Sequence, residues 1–437
     1  TDLASGKFSI FNRFYFKNLK DYQVSYEVKA NGKTIRSGKT SLDIAPQTAK
    51  EFNVNVAGLK PAADTEYFVN FYISSTKADG LIPANHVIAY EQFRLPIEPI
   101  KNAAKYAGPQ LTTNENGDVL TVSSSKVNFA FDKKSGLVTS YKVNGTEYFS
   151  DGFGLQPNFW RGPTDNDYGN NQPKREQIWK QSSKDFNVSE ASVSMDGKNA
   201  VIKANYLLPA GNLYIVNYTI YPNGAVHVAA HFTSTEMKET ETELSEATRT
   251  ATFTPGRDEA RKAASKLTVP RIGVRFRMPA TMNQIAYFGR GPQENYADRQ
   301  FGTMVGLYKS TAEDLYYPYV RPQENGHHTD TRWVSVNSAK GKGLKIVADE
   351  WIEFNALRNS VEELTALPRQ WNNFTPEQVA NHDENAAKNV LRRQHHINDV
   401  TPQNFVEVCI DLRQQGVGGY DSWGSRPDPQ YTLPANK

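Results

Sequence analysis

Apolar side chains recur at every second position along short runs of this chain, and turn-forming residues separate the runs. In KFSIFNRFYF, Phe8 and Ile10 and then Phe14 and Phe16 fall on one face, a strand pattern. EYFVNFYIS places Val69, Phe71 and Ile73 on one side and Phe68, Asn70 and Tyr72 on the other. YQVSYEVKANGKTIRSG is two alternating runs about the pair Asn31-Gly32, which predicts a hairpin. Six or seven such strands fit residues 1–97, the size of an immunoglobulin-like sandwich.

From about residue 98 to residue 118 the alternation lapses and Pro, Gly and Asn accumulate, which predicts a linker. Strands resume in VNFAFDKKSGLVTSYKVNG, NAVIKANYLL and LYIVNYTIYPNGAVHVAAHF, with turns at Lys134-Ser135-Gly136 and Pro222-Asn223-Gly224. The expectation for 119–437 is a large antiparallel meander. Residues 235–266 alternate in charge sign and have almost no apolar face, which predicts an exposed insertion. One short helix is expected from Thr375 as N-cap with Pro376 at the first helical position.

Composition narrows the classes. A chain of 437 residues exceeds one ordinary core and suggests more than one domain. Aromatic residues reach 11%, in keeping with all-β architecture. With 50 basic against 47 acidic residues and no basic stripe, the balance argues against a nucleic-acid partner. No apolar run approaches the ~18 residues of a membrane-spanning helix, and the opening TDLASGKFSI has neither the signal-peptide pattern nor an initiator Met, pointing to a mature chain or an excised piece. The single cysteine, Cys409, excludes an internal disulfide framework and reads as a small buried apolar residue. Asn-x-Ser/Thr sequons stand at Asn144, Asn187, Asn217 and Asn373.

Four loop-like stretches gather glycine, proline, carboxylate, amide and aromatic residues: NFWRGPTDNDYGNN, YFGRGPQENYADR, PYVRPQENGHHTDTRW and QQGVGGYDSWGSRP. Such clustering on turns predicts a polar recognition surface. Asp165, Asp167 and Gly169 are spaced like the start of a calcium-binding EF-hand loop, but Gly169 holds a ligand position and no glutamate closes the loop. His327-His328 and His395-His396 read as polar loop histidines, since neighbours on a strand face opposite ways and do not chelate together. GVGGYD departs from the dinucleotide loop at Asp421. Glu294, Glu324 and Asp421 are candidate members of a glycosidase carboxylate pair, but no spacing couples any two of them.

Taken together, the four stretches resemble the C-terminal part of β-galactosidases of glycoside hydrolase family 2. FWRGPTDND resembles that family's FWRxPTDND signature, GRGPQENYADR and RPQENG its later motifs, and GVGGYDSWG its closing GxGGxDSW. The resemblance implies an all-β chain: an immunoglobulin-like sandwich over 1–97, a linker over 98–118, and over 119–437 a large antiparallel β-supersandwich resembling galactose mutarotase. It implies that the catalytic glutamates belong to a TIM-barrel domain, for which this chain has no βαβ alternation. Magnesium and sodium would bind largely outside this region, with no cofactor on the chain itself. The partner would be a galactoside held jointly with that barrel, and the parent enzyme allows a homo-oligomer. By the same resemblance Trp423 lines the sugar and leaving-group platform, Gly169 opens a mobile loop at the same site, Asp165, Asp167 and Asp421 contribute beside them, and Trp160 is structural. Two other classes stay open at this point: a free-standing carbohydrate-binding module, and an aldose-1-epimerase-like isomerase using a pair such as His227 and Glu324.

Overall fold

The computed structural model describes residues 2–102, 106–234, 268–365, 396–421 and 424–435. The predicted insertion at 235–266, the whole predicted helical segment from Thr375 and Trp423 therefore lie outside the described residues. The chain divides into two compact units. Thr1–Lys105 with Tyr287–Pro292 and Thr303–Tyr308 form the first, and Tyr106–Ala286, Gln293–Gly302 and Lys309–Lys437 form the second. The architecture is all-β, and among the described residues the sheets are built from antiparallel ladders such as Tyr22–Ala30 with Tyr67–Ser75 and Arg271–Pro279 with Phe405–Gln414.

In the first unit Lys7–Phe11 pairs with Ala49–Asn53, and a second sheet runs Lys33–Ser41, Tyr22–Ala30, Tyr67–Ser75, Val87–Arg94. The inward positions Phe8, Val24, Val28, Val69 and Phe71 form its core, with Phe8 edge-on to Phe71 at 4.7 Å. Each such side chain contributes about 1.5–3 kcal/mol on full burial. The hairpin forms as predicted. Asn31 and Gly32 take φ of 44° and 79°, the two left-handed positions that a two-residue hairpin turn requires. The Asn31 side chain also donates to Asp64 O and accepts from Glu66 N.

Three readings change. The first strand stops at Phe11 and leaves Phe16 fully exposed, because buried Asn12 bends the chain: its amide donates to Lys17 O and Ile44 O, and its oxygen accepts from Phe14 N. Phe68 and Asn70 are as buried as the core-facing side of their strand. Within the same unit Phe68 meets Phe288 edge-on, and Asn70 accepts from Gln92. Finally, Thr112–Asn116 is a strand inside the expected linker. It is polar because it forms a mostly exposed sheet edge, so no apolar alternation marks it.

The second unit holds a five-stranded sheet ordered Thr146–Glu147, Leu137–Val143, Val127–Asp132, Val119–Ser123, Thr112–Asn116. Beside it in sequence is a four-stranded meander, Asn187–Asp196, Asn199–Leu207, Leu213–Ile220, Val226–Thr233. Its inward residues are Ala200, Ile202, Ala204 and Tyr206 on one strand and Tyr214, Val216, Tyr218 and Ile220 on the next. A third sheet of this unit runs Gln156–Asn158, Arg271–Pro279, Phe405–Gln414, Gly343–Leu357, His328–Asn337. The candidate site grows from the ends of its strands.

Candidate functional site

The chain leaves the strand Gln156–Asn158 through three buried residues, Phe159, Trp160 and Arg161, and then starts a one-turn helix, Asp165–Gly169. Thr164 is its N-cap. The Thr164 hydroxyl accepts from Asp167 N, and the Asp167 carboxylate accepts from Thr164 N at 3.0 Å, a reciprocal capping box. The same carboxylate takes a two-pronged ion pair from Arg161, Nε at 3.1 Å and Nη2 at 3.0 Å, both side chains being buried. Two acidic residues in the first turn also suit the helix N-terminus.

Arg161 does more than hold Asp167. Its Nη1 donates to Gln415 O at 2.7 Å and its Nη2 to Gly416 O at 3.0 Å. From the second stretch, Asp298 accepts from Val417 N at 3.0 Å and Gly418 N at 2.8 Å, and Arg299 donates to Gly418 O at 2.7 Å. Asn166 donates to Val417 O. The glycines permit this crowding: a Cβ on Gly416 would lie 2.5 Å from the Asp298 carboxylate, and Gly418 and Gly419 take φ of 62° and 85°. Further on, Asp421 accepts from Ser425 N, and Gly424 packs so closely on Gly169 that a Cβ would come within 2.4 Å of the Gly169 carbonyl carbon.

The third stretch lies against the helix. Arg321 stacks 3.9 Å from the centre of the Tyr168 ring and donates to Asp165 Oδ1, while Gln323 accepts from Asp165 N. Glu324 N donates to Gly162 O. Glu294 accepts from Tyr319 and from Gly326 N, tying the second stretch to the third. Tyr296 stacks on His327, whose Nε2 lies 3.0 Å from Glu353 Oε2; Glu353 also accepts from Gln414 N at 2.7 Å. Burial, helped by the Arg271 guanidinium, pushes His327 down to about 3, and burial pushes the Glu353 carboxyl up to about 7.

The four stretches therefore meet, but the residues read as sugar-facing divide. Asp165, Gly169 and Asp421 are exposed, whereas Asp167 is buried and committed to Arg161 and the cap. Gly169 closes a helical turn where a loop opening was expected. His327 and His328, read as loop histidines, are both buried, against Tyr296 and Phe354 respectively. Cys409 is buried, as expected. Glu324 is bound by Asn355, Glu294 by Tyr319 and Gly326, and Asp421 by Ser425. His227 is exposed and bonded to Asp349 while Glu324 is buried, so the isomerase pair does not assemble. Among the described residues no group of three or more His, Cys, Asp or Glu is placed to hold a metal ion. Sequence reasoning did not find Arg161, Asp298 and Arg299 as clamps. Their motifs were visible, but nothing in spacing reveals that Asp298 serves backbone 119 positions away.

Comparison with known proteins gives this geometry a family. Residues 123–437 match the family described as beta galactosidase small chain, and residues 8–96 match beta-galactosidase domain 4. The β-galactosidase of Priestia megaterium is 31% identical over 439 aligned residues, covering 100% of this chain and 37% of that protein. That of Halalkalibacterium halodurans is 23% identical, covering 98% and 37%, and one from Vibrio vulnificus is 26% identical, covering 97% and 36%. The chain thus spans little more than a third of the length of these relatives. With one family matching most of its residues and a second matching the stretch before it, the chain belongs to the β-galactosidase family.

Proposed function

We propose that this chain completes the sugar site of a β-galactosidase whose two catalytic glutamates lie in a separate TIM-barrel domain. The turn 416–421 forms one wall, Trp423 beyond it would stack on the galactoside and its leaving group, and Asp421, Asp165 and Gly169 form the rim beside it. Asp167 serves through Arg161, by fixing the turn. An indole presents a flat apolar face and one N–H, which suits the C–H face of a galactopyranose. The observation that carries this reading is the convergence of Arg161, Asn166, Asp298 and Arg299 on four consecutive buried residues, 415–418, from which the chain runs out to exposed Tyr420 and Asp421. Holding a short turn with the buried Arg161 guanidinium and the half-buried Asp298 carboxylate serves a surface that must keep its shape. In this reading magnesium and sodium bind largely outside the chain, and the parent enzyme hydrolyses terminal β-galactosides with retention.

In the enzyme that carries this chain, Trp423→Ala lowers kcat/KM by about 5- to 30-fold, a loss of about 1–2 kcal/mol carried mostly by KM. Trp423→Phe recovers part of it. A kcat/KM within twofold of the parent, or an unfolded variant, removes Trp423 from the platform.

The chain by itself turns over no nitrophenyl galactoside, because retaining hydrolysis needs two carboxyl groups about 5 Å apart across the bond. It also binds galactose no better than about millimolar, since one stacking face falls short of the roughly 4 kcal/mol that even such a complex needs. A micromolar constant by calorimetry would replace this reading with a free-standing binding module.

A further inference from the structure

We infer that Asp298 is a positioning residue for galactoside turnover: it fixes the turn 416–421 by receiving two successive backbone N–H groups, and the sugar wall keeps its shape only while that carboxylate is in place. The inference rests on the function proposed above and assigns a role to a residue outside the predicted site.

Val417 N and Gly418 N both point at the Asp298 carboxylate, at 3.0 and 2.8 Å. Consecutive N–H groups ahead of a left-handed residue form a concave anion seat, and Gly418, at φ 62°, supplies the left-handed position. The carboxylate that fills the seat comes from this chain, so its bonds order the turn. The neighbouring Arg299 donates to Gly418 O, adding a third bond to the same peptide units. Gly416 presses against the same carboxylate; with any side chain there, the carboxyl group would have to move, since a Cβ would stand 2.5 Å from it. Arg161 holds the carbonyls of Gln415 and Gly416 on the other side of the peptide units. Arg161 and Asp298 thus divide the work: Arg161 fixes where the turn leaves the strand Phe405–Gln414, and Asp298 fixes the direction in which it continues toward Asp421.

The test uses Asp298→Ala, Asp298→Asn and Gly416→Ala. Hydrogen exchange on the whole chain reads the turn directly. In Asp298→Ala the amides of Val417 and Gly418 exchange about 10- to 100-fold faster, while those of the strand Asn199–Leu207 keep their rates. Asp298→Asn lies between, because its one carbonyl oxygen still accepts while its NH2 faces an N–H. Gly416→Ala reproduces the effect without removing the charge. In the enzyme, Asp298→Ala raises KM about tenfold with kcat nearly unchanged, and adds little in a Trp423→Ala background.

Unchanged exchange at Val417 and Gly418 overturns the inference, as does acceleration spread evenly over the second unit, which would make Asp298 a general structural residue. If Asp298→Ala leaves KM alone while Trp423→Ala raises it, the positioning role falls and the proposed function stands. If neither raises KM, the proposed function falls and takes the inference with it.

Discussion

Arg161→Met destabilises the second unit by about 3–5 kcal/mol, the cost of leaving one member of a buried ion pair without its partner. Arg161 and Asp167 are both buried, and the guanidinium is the only charged group bonded to that carboxylate among the described residues. Its removal also frees the carbonyls of Gln415 and Gly416, which among the described residues no other side chain holds. Met keeps an apolar stem of similar reach, so the loss does not come from an empty volume. The double variant Arg161→Met/Asp167→Asn recovers part of the loss because the stranded charge is gone, and what remains, about 1–3 kcal/mol, reports the two carbonyls. All six tryptophans lie after residue 159, in the second unit, so their emission during urea unfolding follows that unit alone. A loss below about 1 kcal/mol in the single variant would mean that the pair is solvated in solution and cannot anchor the turn.

Much of the fold was legible because its strands obey a simple rule. Ala200, Ile202, Ala204 and Tyr206 alternate inward as their spacing demands, and Asn31-Gly32 turns as its backbone preferences demand. The rule fails where a polar side chain does the structural work. Asn12 ends a strand by bonding three backbone groups, and the apolar residues after it still look like strand. Thr112–Asn116 lies at a sheet edge and has no buried face to advertise. At the site, the motifs and their glycines marked which loops matter, while the direction of each carboxylate stayed hidden. Asp165 and Asp167 sit two apart in one signature. One faces solvent and Arg321, the other the interior and Arg161, because the capping box turns the third helical position inward. The adjacent histidines pose the same problem, since burial of both needs two different aromatic partners, Tyr296 from a loop and Phe354 from the paired strand.

The buried pair His327–Glu353 yields the second large effect, one that wild-type protein conceals. Folded, the pair holds a single proton over a wide range: His327 is pushed down to about 3 and Glu353 up to about 7, so neutral imidazole faces neutral carboxyl, and shifting that proton between them leaves the count at one. Unfolded, between pH 4.5 and 6.5, the same two residues are imidazolium and carboxylate, again one proton. Equal counts mean no pH dependence from the pair in that window. Glu353→Gln breaks the balance. The remaining His327 has a folded pKa below its unfolded value, so the unfolded chain binds more protons, and stability rises with pH until about 6.5 and is lost as pH falls toward 3. From pH 4.5 to 6.5 the variant therefore gains about 2 kcal/mol relative to wild type, the slope of 1.36 kcal/mol per unit halving as pH reaches the unfolded histidine value. His327→Gln shifts the sign: Glu353 alone has a raised folded pKa, so its stabilisation is full below 4.5 and is lost as pH rises through 7. Asp411, buried against Arg271, Arg413 beside Glu353, and nearby Glu324 and Asp330 remain in both variants, so taking each difference from wild type cancels their titration to first order. Urea stabilities at pH 4.5, 5.5 and 6.5 decide it. Opposite slopes for the two variants against a level wild-type reference confirm a shared proton under Gln414, at the root of the turn. Parallel curves for all three proteins would show that His327 and Glu353 titrate as if exposed, and that the turn has no buried footing there.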